Sequence, residues 1–178
     1  LNPNRNPQFD RAHIEVLLGE RLGLHHFLWL EHGYLAGDDT DSHVDTLARI
    51  CPNDTIAYVK CTDPNDEHYQ ELSLMEQELQ AFRTPQGAPY RLVALPWPDA
   101  VYDEDGERLP ATYANYLVLN GVVLYPTYNQ PHHDEEAAHA LSQAFPSHDI
   151  VGVDCQALIR QHGSLHCATM QYPRGVMA

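Results

Sequence analysis

An order of strand, strand, helix, strand occurs twice along this chain, and that repeat limits the folds open to it. In the first copy, residues 45–50 and 55–59 read as strands on either side of Pro52-Asn53-Asp54, a turn signal. A helix over 67–82 follows, with Tyr69, Leu72, Met75, Leu79 and Phe82 on one face, and 91–95 reads as a buried strand. In the second copy, strands 116–119 and 122–125 flank Asn120-Gly121, the strongest short hairpin signal. A helix over 134–145 turns Ala137, Ala138, Leu141, Ala144 and Phe145 inward, and strand 150–153 closes the unit. The first strands are offset by about 70 residues and the other matching elements by roughly 60 to 67, a period typical of modules that bury their faces against neighbours. An ordinary α/β sandwich with coincidental spacing is the alternative.

The flanks look like pieces of further copies. Asp10 can cap a helix with Ile14, Leu17, Leu18 and Leu22 at helical spacing, and Gly23 stops it. Residues 27–30 then read as a strand, the tail of an earlier unit, while 166–171 look like a strand of one more. The stretch 97–113, with Asp105-Gly106 at its tip, is either a mobile loop over a site or a plain hairpin excursion. The chain opens on Leu1 in a polar stretch that reads like the middle of a protein. It is expected to be the C-terminal part of something larger.

Charge narrows the function classes. A net charge of −15 argues against a nucleic-acid backbone as partner and suits a cationic one, although solubility also accounts for an acidic surface. No apolar run approaches the roughly 18 residues of a membrane-spanning helix. The four cysteines show neither CxxC nor zinc-like spacing, so free thiols in a cytoplasmic setting are expected. The twelve histidines are scattered, and the adjacent pairs His25-His26 and His132-His133 project in different directions on regular structure, which argues against a metal site.

Two distant segments carry candidate chemistry. Cys167 follows the flexible Gly163-Ser164, where a loop is expected to enter a strand; it is either a nucleophile or a small packed hydrophobe. Cys51, Cys61 and Cys155 lie in or beside apolar strands, and packing is the better reading for them. The other segment is Gly37-Asp38-Asp39-Thr40-Asp41-Ser42-His43-Val44-Asp45. On an extended chain His43 and Asp45 share a face, which supplies an imidazole to move protons and a carboxylate to hold a cation. A solvated acidic loop is the plainer alternative. An EF-hand is set aside, because the terminal glutamate and inner glycine are missing.

These segments, in this order, resemble the agmatine deiminase and bacterial-type peptidylarginine deiminase family. The likeness starts at Leu1-Asn2-Pro3-Asn4-Arg5-Asn6-Pro7 and takes in Gly37-Asp38-Asp39-Thr40-Asp41 with His43-Val44-Asp45-Thr46-Leu47-Ala48-Arg49. It continues through Leu109-Pro110-Ala111-Thr112-Tyr113-Ala114-Asn115-Tyr116 and ends at His166-Cys167. The resemblance implies a five-bladed α/β propeller of strand-strand-helix-strand units, of which residues 1–178 would be the C-terminal portion, about half, with the N-terminal half absent. It implies Cys167 as nucleophile, His43 as general acid and base, and Asp45 as guanidinium ligand, with Asp39 and Asp41 as further substrate-binding acids.

The implied reaction converts agmatine to N-carbamoylputrescine and ammonia, a step of putrescine biosynthesis, with no metal and no organic cofactor. A peptidyl-arginine deiminase, an amidinotransferase and an inactive module binding arginine-like ligands are the alternatives. A cysteine protease is the nearest unrelated reading, but an acidic site suits a neutral peptide bond poorly. The departure from the family's Gly-Gly-Gly-Asn-Ile-His-Cys, here Gln161-His162-Gly163-Ser164-Leu165-His166-Cys167, bears on which guanidine is taken. The implied partners are a small cationic guanidine and either a second copy or the missing half.

Overall fold

The computed structural model describes residues 6–38, 43–172 and 175–176. Both repeats form, each as its own three-stranded sheet. In the first, β1 (Ala48–Cys51) pairs antiparallel with β2 (Thr55–Lys60), and β3 (Arg91–Pro96) joins β2 in parallel after helix α2 (Tyr69–Ala81). In the second, β4 (Leu117–Val118), β5 (Val122–Thr127), α3 (Pro131–Ala144) and β6 (Asp149–Asp154) repeat the same order and pairing. The hairpin turns are where the sequence places them. Asn53 and Asp54 adopt φ of 58° and 51°, and Gly121 adopts 83°, the left-handed conformations that such turns require.

One hydrophobic core runs through both modules. The α2 face buries Leu72, Met75 and Leu79, and the α3 face buries Ala137, Ala140, Leu141 and Ala144. Helix α3 packs on β6 of its own sheet and also on β3 of the other, so small alanines let one helix cover two sheets. Strand β6 shows the opposite case: Val151 is 45% exposed, because nothing among the described residues covers its outer face.

Helix α1 (Arg11–Leu22) has the expected ends. The Asp10 carboxylate accepts the His13 amide at 2.9 Å, and Gly23 closes the helix in the left-handed conformation. Its apolar stripe, however, buries no residue, and Leu22 is 67% exposed.

Three expected strands need correction. Residues 27–30 form no strand. The segment that follows them gives its amides to side chains of α2 instead of a sheet, with Glu31 and His32 donating to Glu78 at 3.0 and 3.3 Å and Gly33 to Glu71 at 3.4 Å. Leu28 and Leu30 still pack on the core. The strand expected from residue 45 starts at Ala48, after a 3-10 turn over Val44–Thr46. Residues 166–171 hold no strand among the described residues; His166–Ala168 is a second 3-10 turn. Residues 97–113 make the hairpin excursion, bridged at Tyr102 and Arg108 and fastened by Arg108 to Asp66 at 2.8 Å.

Candidate active site

Asp45 and Cys167, far apart in sequence, are brought to one place by a hub between the two modules. The hub is the segment 112–116, almost wholly buried. On one side Thr112 Oγ1 donates to the Thr46 carbonyl at 2.7 Å, and Asn115 Nδ2 donates to Asp45 Oδ2 at 3.0 Å. On the other, Asn115 Oδ1 accepts the His166 amide at 2.8 Å and the Cys167 amide at 3.3 Å. Tyr128, donating to the Thr112 carbonyl at 2.9 Å and lying 2.8 Å from Ser164 Oγ, holds the loop before the thiol against the same hub. His166 then closes the figure, its Nδ1 donating to Asp45 Oδ2 at 2.7 Å.

The local chain geometry follows from these bonds. The amides of His166 and Cys167 are taken by Asn115, through its side chain and, for His166, also through its main-chain carbonyl at 3.1 Å, and the chain curls into a 3-10 turn instead of running on as a strand. Gly163 is needed beside it, since a Cβ there would stand 3.1 Å from the Cys167 Cβ and 3.7 Å from its sulfur. His43 precedes the other turn, and its carbonyl accepts Thr46 N at 3.2 Å and Thr46 Oγ1 at 2.7 Å. Strand alternation therefore does not govern how His43 and Asp45 are oriented; the turn does. Asp39 and Asp41 lie outside the described residues.

The thiols divide sharply. Cys51, Cys61 and Cys155 are buried and Cys167 is exposed, and all four are free. Burial pushes the Cys51 and Cys61 thiols up, and the Cys155 thiol up to about 11, so these three stay protonated at neutral pH. Among them Cys51 lies 3.2 Å from the Tyr116 hydroxyl and Cys61 3.6 Å from the Asp63 carbonyl, the contacts of packing groups. Asp45 and His166 retain 20% and 30% side-chain accessibility, enough for a small ligand to reach them.

A groove of about 490 Å³ also touches Asp45, lined by Leu28, Trp29, Leu30, Ile50 and Phe82 among others. Cys167 does not line it. It is an apolar flank of the first module and lies apart from the Asn115 bridge that joins Asp45 to the Cys167 backbone. No group of three or more His, Cys, Asp or Glu side chains able to hold a metal occurs among the described residues. No helix among them is long and apolar enough to cross a membrane.

The residues missed from sequence are Asn115, His166 and Thr112. One signal was available, since Asn115 is a lone amide inside the apolar run Tyr113-Ala114-Asn115-Tyr116-Leu117, where a buried polar group needs partners.

The family model of Porphyromonas-type peptidyl-arginine deiminases matches residues 1–173. The chain belongs to this family. An agmatine deiminase of Stutzerimonas stutzeri is 32% identical over 190 residues, covering 97% of this chain and 51% of that protein. A solved protein of Porphyromonas gingivalis is 54% identical with a TM-score of 0.93, covering 98% of this chain and 51% of that one. A substrate-bound agmatine deiminase of C. jejuni is 44% identical with a TM-score of 0.85, covering 93% and 47%. The chain thus spans about half the length of the curated relatives it matches.

Proposed function

We propose that these residues form the nucleophile-bearing half of a five-bladed α/β propeller that hydrolyses a guanidine, agmatine first among them, to a ureido product and ammonia. The observation that carries this reading is the Asn115 bridge, which joins the backbone of an exposed cysteine to a carboxylate fit for a cation. Ionised Asp45 would hold the guanidinium by charge-assisted hydrogen bonds, to which Asp39 and Asp41 add negative charge. The bound cation lowers the cost of a thiolate at Cys167. The sulfur attacks the central carbon, and His43 protonates the departing ammonia. The resulting amidino thioether is hydrolysed by a water that gives its proton to His43, which frees the carbamoyl product and the thiol.

The substrate-bound C. jejuni relative carries a cysteine-to-serine replacement, which fits a cysteine as the group that turns substrate over. The family description favours a second substrate, peptidyl arginine. The two are separable by the acceptor pocket: agmatine has a free amine, whereas peptidyl arginine brings flanking backbone. The incompletely buried stripe of α1 and the uncovered face of β6 suit a propeller completed by further modules, which would be the partner of this half.

The test is ammonia release from agmatine and from a blocked arginyl peptide by the longest natural reading frame containing these residues. Agmatine turnover with a ureido product is expected, and the isolated 178-residue chain should be feeble or inactive. Robust release by the isolated chain would contradict the half-propeller reading, and none from the longer protein would overturn the activity.

A further inference from the structure

We infer that Asn115 is a positioning residue of this site, whose carboxamide sets the Cys167 backbone and the Asp45 carboxylate in one frame; the role rests on the proposed guanidine chemistry. The carboxamide has a donor end and an acceptor end, and the site uses both. Backbone amides only donate and an ionised carboxylate only accepts, so the hydrogen bonds allow one orientation of the group: Oδ1 toward His166 and Cys167, Nδ2 toward Asp45. Leucine of similar size would leave the Cys167 amide without its partner, the His166 amide with only the main-chain carbonyl of residue 115, and Asp45 Oδ2 with only His166. Aspartate would satisfy the amides but set a second carboxylate against Asp45. Asn115 is fully buried, so water is poorly placed to substitute for it.

The bridge also divides the labour of Asp45. Its Oδ2 takes two hydrogen bonds, from Asn115 at 3.0 Å and from His166 at 2.7 Å. Among the described residues Oδ1 takes none, and this is the oxygen left to face a cation. His166 thus shares the positioning role, and its place next to Cys167 means that moving the thiol moves the carboxylate's support. A shift between nucleophile and cation ligand of the order of 1 Å costs about 100-fold in rate, which sets the size of the effect expected when the bridge is cut.

Two variants at one position test this in the longer protein. Asn115→Ala removes both ends of the bridge and should lower kcat/KM for agmatine about 100-fold at every pH. Asn115→Asp keeps the acceptor, and two carboxylates in contact share a proton at higher pH than either would alone. While that proton is held, the new carboxyl can donate to Asp45 as the amide did. Its activity should therefore be partly restored at acid pH and fall as pH rises, on a limb that the parent protein lacks. A residue that only stabilised the fold would give two flat losses instead.

If neither variant folds, His166→Ala tests the same frame at a ring that is 30% accessible. It should raise KM for agmatine about tenfold with the rate of Cys167 alkylation by neutral iodoacetamide unchanged. An Asn115→Ala protein within threefold of the parent, parallel pH profiles for Asn115→Asp and parent, or an unmoved KM for His166→Ala would each overturn the proposal. Should the parent protein release no ammonia at all, the deiminase reading falls by itself. The positioning role is then read without turnover: the preference of Cys167 for a cationic haloacetamidine over iodoacetamide should drop in Asn115→Ala, and an unchanged preference would overturn it.

Discussion

His68 and His166 each hold an aspartate at hydrogen-bond distance, 2.6 Å to Asp66 and 2.7 Å to Asp45, yet their surroundings have little in common. His68 is fully buried, stacked on Tyr34 with ring centroids 5.0 Å apart and 4.7 Å from Trp97. Both of its nitrogens are committed, because the Ala36 amide donates to Nε2 at 2.8 Å and so leaves the proton on Nδ1 for Asp66. Asp66 is saturated in turn by Arg108, Trp97 and the His68 amide. His166 is partly open and stands beside the exposed thiol, and its aspartate keeps an oxygen to spare among the described residues. The distance between imidazole and carboxylate thus says little about function. What separates a structural pair from a candidate site is unspent hydrogen-bonding capacity and an exposed thiol beside it.

The comparison can be broken at three points. The largest effect should come from the exposed thiol that stands beside the second pair. Cys167→Ser is expected to lower ammonia release by roughly 10³-fold or more while leaving the thermal midpoint of the protein where it was; substantial residual turnover would sink the nucleophile. Next comes a reversal on the stability axis. Replacing His68 with alanine leaves the Ala36 amide and Asp66 short of partners in a closed space and should cost about 3 kcal/mol in urea unfolding. The same change at His166 should cost under about 1 kcal/mol, because the group is partly solvated and Asn115 still serves Asp45. Equal costs would mean that the two pairs are not different in kind.

The smallest effect concerns pH. Burial, against the opposing pull of Asp66, holds the His68 imidazole below its ordinary range. The unfolded chain therefore binds a proton there that the folded chain refuses, and stability present above about pH 6.5 should decline as pH falls through that value. Asp66 is held far below the usual carboxylate range: burial raises it, but the hydrogen bonds from Arg108 and His68 outweigh that. Its contribution is lost in a second, more acid window, as pH drops below about 4. Urea titrations at several pH values should show the upper window vanish in His68→Ala and the lower one persist.

Much of the architecture was legible because it rests on local rules. Asn120-Gly121 and Asn53-Asp54 name their turns, Asp10 and Gly23 name the ends of α1, and the periodic leucines of α2 and alanines of α3 name their buried faces. The two false strands, at 27–30 and 166–171, show where such rules stop. Both stretches look extended in composition, but a strand exists only through a partner's ladder. Here the neighbouring amides are claimed by Glu78 and Glu71 in one case and by Asn115 in the other. Alternation was therefore the wrong ground for pairing His43 with Asp45, even though Asp45 lies in the site.

Cysteine chemistry followed the same divide. Apolar neighbours in sequence were enough to assign Cys51, Cys61 and Cys155 to packing, since a strand of a two-sided sheet buries what it carries. They could not say what faces Cys167. The carboxamide of Asn115, the ring of His166 and the carboxylate of Asp45 meet beside the Cys167 backbone only because two modules dock through the 112–116 segment.

Residue order alone, then, determined the repeating unit, the turns, the helix caps and the two segments that bear candidate reactive groups, because each depends on contacts within a few residues. Only the tertiary structure decided which carboxylate is bridged to the Cys167 backbone and which histidine holds that carboxylate. Those partnerships run through a buried amide whose hydrogen-bonding ends point to opposite ends of the chain, and no local pattern encodes a three-way contact of that kind.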